Sequence, residues 1–403
     1  MDIRCVNMSG LDARAFVEQQ VRQIRETLGK EKALIAVSGG VDSTVSGVLT
    51  HRAIGDNLLC VFIDDNFMRL GEPESVKKAL SAPPLNLPVR VLDERTRFMQ
   101  ALSGLTDAEE KRKAFRETFY TTLAQAAEAE GCTHLVQGTI KADIVETAGG
   151  VKTQHNVLEQ VGIDPKTRFG FEVIEPVASL YKHQVREVAR YLGMPIESSE
   201  RQPFPGPGLS IRVVGRITPQ ELEQLKTATK ITEEALRPFS PDQYFAAIFS
   251  GQTSKTPESL LAETARALEK DPSQVSTRYL SEKATGIVGE SRVYGLVAAV
   301  GAFDKGKNTV EMSFKTLERM RQQVMSKQPE IARVLYLLEG ANNEGSVIAL
   351  RAIKTRDYLT AGVAEIPWAA LRLASERIFQ SCRRVAQVYY DVTPKPPATI
   401  EFE

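Results

Sequence analysis

The sequence predicts an α/β protein: a doubly wound parallel sheet, followed by an α+β region that carries an internal duplication. Three observations predict it. From residue 11 to about 200, short apolar runs alternate with helix-patterned segments. Polar clusters fall at the carboxyl ends of those runs, where doubly wound sheets bind their ligands. Beyond residue 216 a strand pattern recurs, with Ile331-Ala-Arg-Val-Leu-Tyr-Leu337 resembling Val385-Ala-Gln-Val-Tyr-Tyr-Asp391.

An amphipathic helix over Ala13 to Leu28 leads into the first strand, Leu34 to Val37. That strand breaks at Ser38-Gly39-Gly40, and a helix pattern starts at Val41. A strand–turn–helix of this kind aims backbone N–H groups and a positive helix end at one spot, which suits phosphate. The two glycines allow close approach, and Ser38, Ser43 and Thr44 add hydroxyl donors. Asp42 repels phosphate unless a cation intervenes, so its presence points to Mg²⁺. The loop is not a Walker A sequence, because no Gly-Lys-Ser/Thr follows the glycines. Four further strands follow: Leu58 to Ile63, ending in Asp64-Asp65-Asn66; Val89 to Leu92; His134 to Gln137, running into Gly138-Thr139; and Phe171 to Ile174.

Three prolines and two glycines within residues 203–208 make a stiff connector that is neither helix nor central strand. Its shape favours a binding loop over a bland linker. The second region follows. Each copy of its repeated strand comes after a helix pattern (Phe314 to Lys327; Trp368 to Cys382) and an earlier apolar strand (Val293 to Val300; Ser346 to Ile353). Two βαβ-like halves in tandem account for this.

The 403 residues carry 51 Lys+Arg and 51 Asp+Glu, so no global basic field exists to collect nucleic acid. The 42% hydrophobic content is that of an ordinary globular chain. Cys5, Cys60, Cys132 and Cys382 are far apart and form neither a zinc site nor a disulfide framework. No signal peptide or 18-residue apolar span is present, and the expected location is the cytoplasm, without membrane contact.

The form Ser38-Gly-Gly-Val-Asp-Ser43 resembles the loop of the ATP pyrophosphatases, whose fold is that of the adenine nucleotide alpha hydrolases. With Gln137-Gly-Thr-Ile140, Asp143, Glu146, Arg201-x-Pro-Phe-Pro-Gly-Pro-Gly-Leu209 and Lys395-Pro-Pro-Ala-Thr-Ile-Glu401, the chain resembles the synthetase part of glutamine-hydrolysing GMP synthetases, lacking their glutaminase domain. The motifs cover most of the length except roughly residues 250 to 345. The resemblance implies an ATP pyrophosphatase domain over 1–205. It also implies a domain over 206–403 that binds xanthosine monophosphate (XMP), of the type that pairs subunits, with an inserted copy at about 250–345. It implies amination of XMP to GMP through an adenylated intermediate, with ATP and Mg²⁺, releasing AMP and pyrophosphate. Ammonia would come from a separate amidotransferase subunit.

Residue by residue, the resemblance places Ser38, Gly39, Gly40, Val41, Asp42 and Ser43 around the pyrophosphate of ATP. Val61, Phe62 and Ile63 would border adenine, with Arg69 reaching over the site and Gly138 and Thr139 lining it. Asp42, Lys182 and Asp143 would serve catalysis; Asp42 and Asp143 would hold metal, Glu146 joining Asp143 there or at the lid. Lys152, His155 and Asn156 match part of a mobile lid. Pro205, Gly206, Pro207, Gly208, Lys395, Thr399, Ile400 and Glu401 would hold XMP, with Arg292 a candidate for its phosphate.

Family lids usually read Lys-Ser-His-His-Asn-Val-Gly-Gly, whereas here Gln154 replaces the first histidine and Leu158-Glu159 replace both glycines. Gln202 stands where a histidine is common, and Asp65-Asn66 replaces Asn-Gly or Thr-Gly. These departures keep a second reading open: a paralogue that adenylates another purine nucleotide and aminates or thiolates it. A thiolating enzyme would need a reactive cysteine near the site. The duplication predicts a monomer whose two halves pack as an internal pseudo-dimer.

Overall fold

The computed structural model describes residues 11–148, 165–195, 202–289, 291–340, 344–356 and 358–403. Its chain divides into two compact units, Met1–Asn66 with Gly71–Ala101 and Ala114–Gly206, and Phe67–Leu70 with Leu102–Lys113 and Pro207–Glu403. Two short stretches of the first half thus group with the second unit, which no shift in composition announces.

The first unit opens with α1 (Ala13–Leu28), whose N-terminus is capped by Asp12 accepting from the Ala15 N–H and whose end is turned by Gly29 at φ +57°. Five strands follow: β1 (Lys32–Ala36), β2 (Leu58–Asp64), β3 (Val89–Asp93), β4 (Cys132–Val136) and β5 (Glu172–Ile174). Every pairing is parallel and the strand order is β3-β2-β1-β4-β5. Among the helices are α2 (Val41–Ile54), α3 (Glu72–Ser81), α4 (Arg95–Leu102), α5 (Ala108–Glu130), α6 (Lys141–Ala148), α7 (Pro165–Phe169) and α8 (Lys182–Tyr191). The chain builds outward from β1 through β2 to β3, then returns to the other side of β1 for β4. That reversal opens a crevice at the carboxyl ends of β1 and β4. The two loops expected to bind nucleotide, 38–40 and 137–139, leave those two strands.

The second unit holds α9 (Pro219–Leu236), β6 (Gln243–Phe249), β7 (Thr253–Lys255), α10 (Glu258–Leu268), β8 (Val275–Val288), β9 (Ser291–Ala302), α11 (Phe314–Lys327), β10 (Ile331–Gly340), β11 (Ser346–Lys354), β12 (Gly362–Val363), α12 (Trp368–Ser381) and β13 (Val385–Asp391). Its main sheet runs β11-β13-β10-β9-β8-β7, with β6 on the other edge of β11 and β12 beside the end of β11.

Two copies of one α-β-β-α-β unit make this sheet. In one copy α9 precedes β6, β11, α12 and β13; in the other α10 precedes β8, β9, α11 and β10. The strands pair alike: β6 antiparallel to β11 and β11 parallel to β13, β8 antiparallel to β9 and β9 parallel to β10. The copies join through antiparallel β10 and β13, with Tyr336 opposite Tyr390 at the pseudo-dyad. Helix packing repeats as well, α9 on α12 and α10 on α11. The second copy lies between β6 and β11 of the first, so it is inserted rather than appended.

Both faces of the sheet are covered, so its central strands β10, β11 and β13 are buried along nearly their whole length and are mostly apolar, interrupted by Arg333, Arg351, Gln387 and Asp391. On one face Phe245, Ala247 and Phe249 join Leu335, Leu337, Val347, Ala349 and Tyr389 in a core that also takes Phe402. The Phe402 ring stands edge-on to Phe249, centroids 5.6 Å apart. Among the described residues, no helix is long and apolar enough to cross a membrane.

Candidate functional site

In the first unit, helix α2 begins immediately after the Ser38-Gly39-Gly40 turn. Gly39 sits at φ +75°, and a Cβ there would meet Val76 Cγ2 at 2.7 Å. The helix is capped by Gly40, which brings no side-chain acceptor to the first-turn N–H groups. Ser38 and Ser43 keep their hydroxyls on this loop, 3.3 Å apart, and Ser43 donates to the Gly40 carbonyl. The loop from β4 packs directly against the helix start: a Cβ on Gly138 would lie 2.6 Å from the Ser43 nitrogen. Only glycine permits that approach. The structure therefore brings together Ser38, Gly39, Gly40, Val41, Asp42, Ser43, Gly138 and Thr139.

Lys182 opens helix α8 and places its Nζ 2.5 Å from Asp42 Oδ2. The other carboxylate oxygen, Asp42 Oδ1, is buried without a hydrogen-bond partner. An orphaned buried oxygen beside an anion-binding helix end is a fitting ligand for a hard cation. Asp143 accepts from the Ile140 N–H at 3.0 Å and so fixes the start of α6. No group of three or more metal-capable side chains occurs among the described residues.

Other expected residues have different settings. Val61, Phe62 and Ile63 are 0%, 1% and 4% exposed, so their side chains belong to the sheet core and are closed to a ligand here. Arg69 belongs to the second unit, where its Nε lies 2.7 Å from Glu233 Oε1 on α9. Asp64 accepts from the Asn66 N–H at the end of β2. Lys152, His155 and Asn156 lie outside the described residues, as does the side chain of Glu146.

In the second unit the segment Lys395–Glu403 crosses the sheet face that carries Phe402. The Ile287 N–H donates to the Pro397 carbonyl and the Thr285 N–H to the Phe402 carbonyl. Two fully buried arginines reach the segment from the sheet. Arg333 donates to Asp391 Oδ2 at 2.7 Å, to the Thr399 carbonyl at 2.9 Å, and to the Glu401 carbonyl. Arg351 donates to Asp391 Oδ2 at 2.6 Å and to the Thr393 and Thr399 carbonyls at 2.9 Å. The Glu401 carboxylate takes both arms of Arg212, at 2.8 and 2.9 Å, and accepts from Gln243. Thr399 and Glu401 are thus engaged within the fold, and Ile400 packs on the core.

Lys395 donates to the Tyr358 carbonyl at 2.5 Å and lines a cavity of about 600 Å³ with Lys354, Arg356, Thr355, Thr360 and Asp242. Three cations around one hollow suit a phosphate monoester. Lys354 and Arg356 are the residues that the motifs did not indicate. Arg292 is bound to Glu109 at 2.8 Å. At the connector, Gly208 at φ +60° would place a Cβ 2.4 Å from the Phe67 carbonyl oxygen, and the Leu209 N–H donates to that same oxygen.

Known proteins resemble this chain along nearly its whole length. Residues 12–206 match the family described as NAD synthase, and residues 339–402 match the GMP synthase C terminal domain. The chain is 42% identical over 392 residues to a subunit of the glutamine-hydrolyzing GMP synthase of Saccharolobus solfataricus, covering 97% of this chain and 100% of that protein. The same subunit from Methanopyrus kandleri is 39% identical over 392 residues, covering 97% of this chain and 99% of its own length. For Archaeoglobus fulgidus the figures are 37% over 393 residues, 98% and 100%. These matches run through the inserted copy, which the motifs alone do not cover. Among solved structures, an NH3-dependent NAD synthetase from Campylobacter jejuni matches with a TM-score of 0.37 at 18% identity, covering 47% of this chain and 77% of that one. An NMN synthetase from Francisella tularensis gives 0.39 at 16%, covering 53% and 85%.

Proposed function

The chain belongs to the family of these GMP synthase subunits, and from that premise we propose how its residues aminate XMP to GMP at the expense of ATP. It is a ligase of the ATP pyrophosphatase type. The observation that carries the residue-level reading is the β1–loop–α2 turn with Lys182 on Asp42.

The uncapped N–H groups of α2, with the Ser38 and Ser43 hydroxyls, hold the β- and γ-phosphates and leave the α-phosphate open. The O2 oxygen of xanthine attacks the α-phosphorus, the bond to the bridging oxygen breaks, and pyrophosphate departs with the electron pair. Ammonia then adds at C2, the C–O bond breaks, AMP leaves and the nitrogen sheds a proton. No nucleophilic side chain is needed; the protein positions and neutralises. Lys182 supplies positive charge beside the departing pyrophosphate. Magnesium, which Asp42 and Asp143 would hold, supplies further neutralisation of the phosphates when bound.

In the second unit Lys395, with Lys354 and Arg356, receives the XMP phosphate. In the same unit the Pro207-Gly208 turn and the Thr399–Glu401 segment shape the nucleoside pocket. Ammonia reaches the reaction from a separate glutaminase subunit.

The test is direct: purified chain, XMP, Mg·ATP and ammonium should yield GMP, AMP and pyrophosphate. Formation of ADP and phosphate overturns the pyrophosphatase chemistry. Glutamine alone should not replace ammonium until the glutaminase subunit is added.

A further inference from the structure

The two repeats superpose through their strand registers, and the superposition shows where they differ. Tyr336 of β10 corresponds to Tyr390 of β13, and these two residues face each other across the pseudo-dyad. Arg333 then corresponds to Gln387, and Asp391 to Leu337. Val300 pairs with Tyr336 as Leu350 pairs with Tyr390, so Arg351 corresponds to Gly301.

The buried cluster therefore has a mirror position. In one place Asp391 and Arg351 of the host copy meet Arg333 of the inserted copy, and all three are 0% exposed. In the mirror place stand Leu337, Gly301 and Gln387, and the space is filled. A Cβ on Gly301 would meet Ser276 Oγ at 2.8 Å, Phe303 Cζ at 3.1 Å and Leu337 Cδ2 at 3.2 Å. One of the two equivalent positions thus holds the charged cluster, and the other is closed around Gly301 by Ser276, Phe303 and Leu337.

The retained site serves the C-terminal segment. Two guanidinium groups share a single carboxylate oxygen, Asp391 Oδ2, and the charge left over is met by carbonyls of that segment. The Thr399 carbonyl takes a hydrogen bond from each arginine, one from each repeat. Arg333 also donates to Thr399 Oγ1 at 3.0 Å and lies over the Phe402 ring, 4.1 Å from its centre. Burial and the neighbouring Arg351 push Arg333 down to about 10, so it stays charged at neutral pH. A buried guanidinium that depends on these few acceptors is costly wherever they are missing.

We propose that Arg333, contributed by the inserted repeat, is the positioning residue that sets the register of the Lys395–Glu401 segment for XMP, and that each two-repeat chain therefore holds one XMP site. The proposal rests on the XMP reading of that segment. The inserted copy supplies from within the chain a residue that an undivided pair of identical copies would exchange. Loss of its mirror image leaves one nucleotide per chain.

The test is Arg333→Gln, which installs the residue found at the mirror position, assayed in the full chain with XMP, Mg·ATP and ammonium. Loss of charge-assisted hydrogen bonds to the segment should raise the KM for XMP at least about tenfold, while the KM for ATP stays within about twofold. Arg333→Lys, which keeps charge at Asp391 without the guanidinium fork, should fall between the two. Calorimetric titration of the wild type should find one XMP per chain. An unchanged XMP KM, an equal rise for both nucleotides, or two XMP per chain overturns the proposal. If Arg333→Gln does not fold, the ratio of the two KM values in Arg333→Lys decides, and an unaltered ratio counts against it. A wild-type chain that makes no GMP from XMP removes the functional reading instead, a separate outcome.

Discussion

Lys111 Nζ lies 2.5 Å from Glu403 Oε2, joining residues 292 positions apart with both side chains almost wholly buried. Lys111 also donates to the Val213 carbonyl at 2.7 Å, and Glu403 Oε1 accepts from the Gly215 N–H at 2.8 Å. Burial pushes the lysine down and the glutamate up, each toward its neutral form, while their mutual attraction opposes both shifts. The pair ends the segment whose middle is held by Arg333 and Arg351.

Lys111→Met leaves a buried carboxylate without its partner, and urea unfolding should show a loss of about 3 kcal/mol at pH 7. The pH dependence has a definite sign. Glu403 in the fold holds its proton to a higher pH than in the unfolded chain, where it ionises near 4.5. Between those values the unfolded state binds fewer protons, so stability falls as pH rises. The variant should fall more steeply than the wild type between pH 4.5 and 7, because Lys111 no longer opposes the shift. Equal slopes contradict this account.

Much of this architecture is legible in the sequence, and what is hidden has a common cause. Helix α1 carries its cap at Asp12 and its stop at Gly29, and its limits follow from local pattern. The repeat is visible because Tyr336 and Tyr390 sit in matching apolar strands. Pairings such as Arg333 with Asp391, Arg69 with Glu233 and Lys111 with Glu403 leave no local periodicity, because they join elements far apart in the chain. The run Val61–Ile63 signals burial, and burial alone does not tell a core strand from a ligand wall. Thr399 and Glu401 stand out as a motif, but only the fold shows that Arg333, Arg351 and Arg212 occupy them.

The Asp42–Lys182 pair leads to a second prediction. Asp42→Ala should lower pyrophosphate release by about 100-fold or more, as expected for removal of a group acting on transition-state charge. Lys182→Met should cost a similar factor. The double variant should lose much less than the product of the two, since the residues touch and act as a unit. Pyrophosphate release measured with saturating XMP and ammonium checks this. Turnover within a few-fold of wild type in Asp42→Ala would show the loop to be misread.

A third prediction concerns the thiols and bears on the thiolating alternative. Burial pushes Cys60 up to about 12 and Cys382 up to about 11, and Cys132 is raised by burial as well. At pH 8 a thiol near 12 is thiolate about once in 10,000 molecules. Iodoacetamide on the native protein should therefore leave Cys60, Cys132 and Cys382 unmodified while denatured protein reacts fully. Peptide mass spectrometry reads each site separately. Rapid native modification of any of the three would restore a candidate sulfur carrier.

The last prediction is the oligomeric state. Antiparallel pairing of β10 with β13 joins the repeats through the strands that two separate copies would use to meet. What remains at the ends of the sheet is poorly suited to pairing. The outer edge of β6 is occupied by residues 212–214, with the Val214 N–H donating to the Ile248 carbonyl and the Ile248 N–H to the Arg212 carbonyl. The opposite end is β7, three exposed residues that include Lys255. Short charged edges and covered edges both discourage sheet extension between chains. Light scattering should find one chain, 44.5 kDa, across the micromolar range. A stable species of twice that mass would mean that a surface other than this sheet holds two chains together, and that the inserted repeat has not replaced a second subunit.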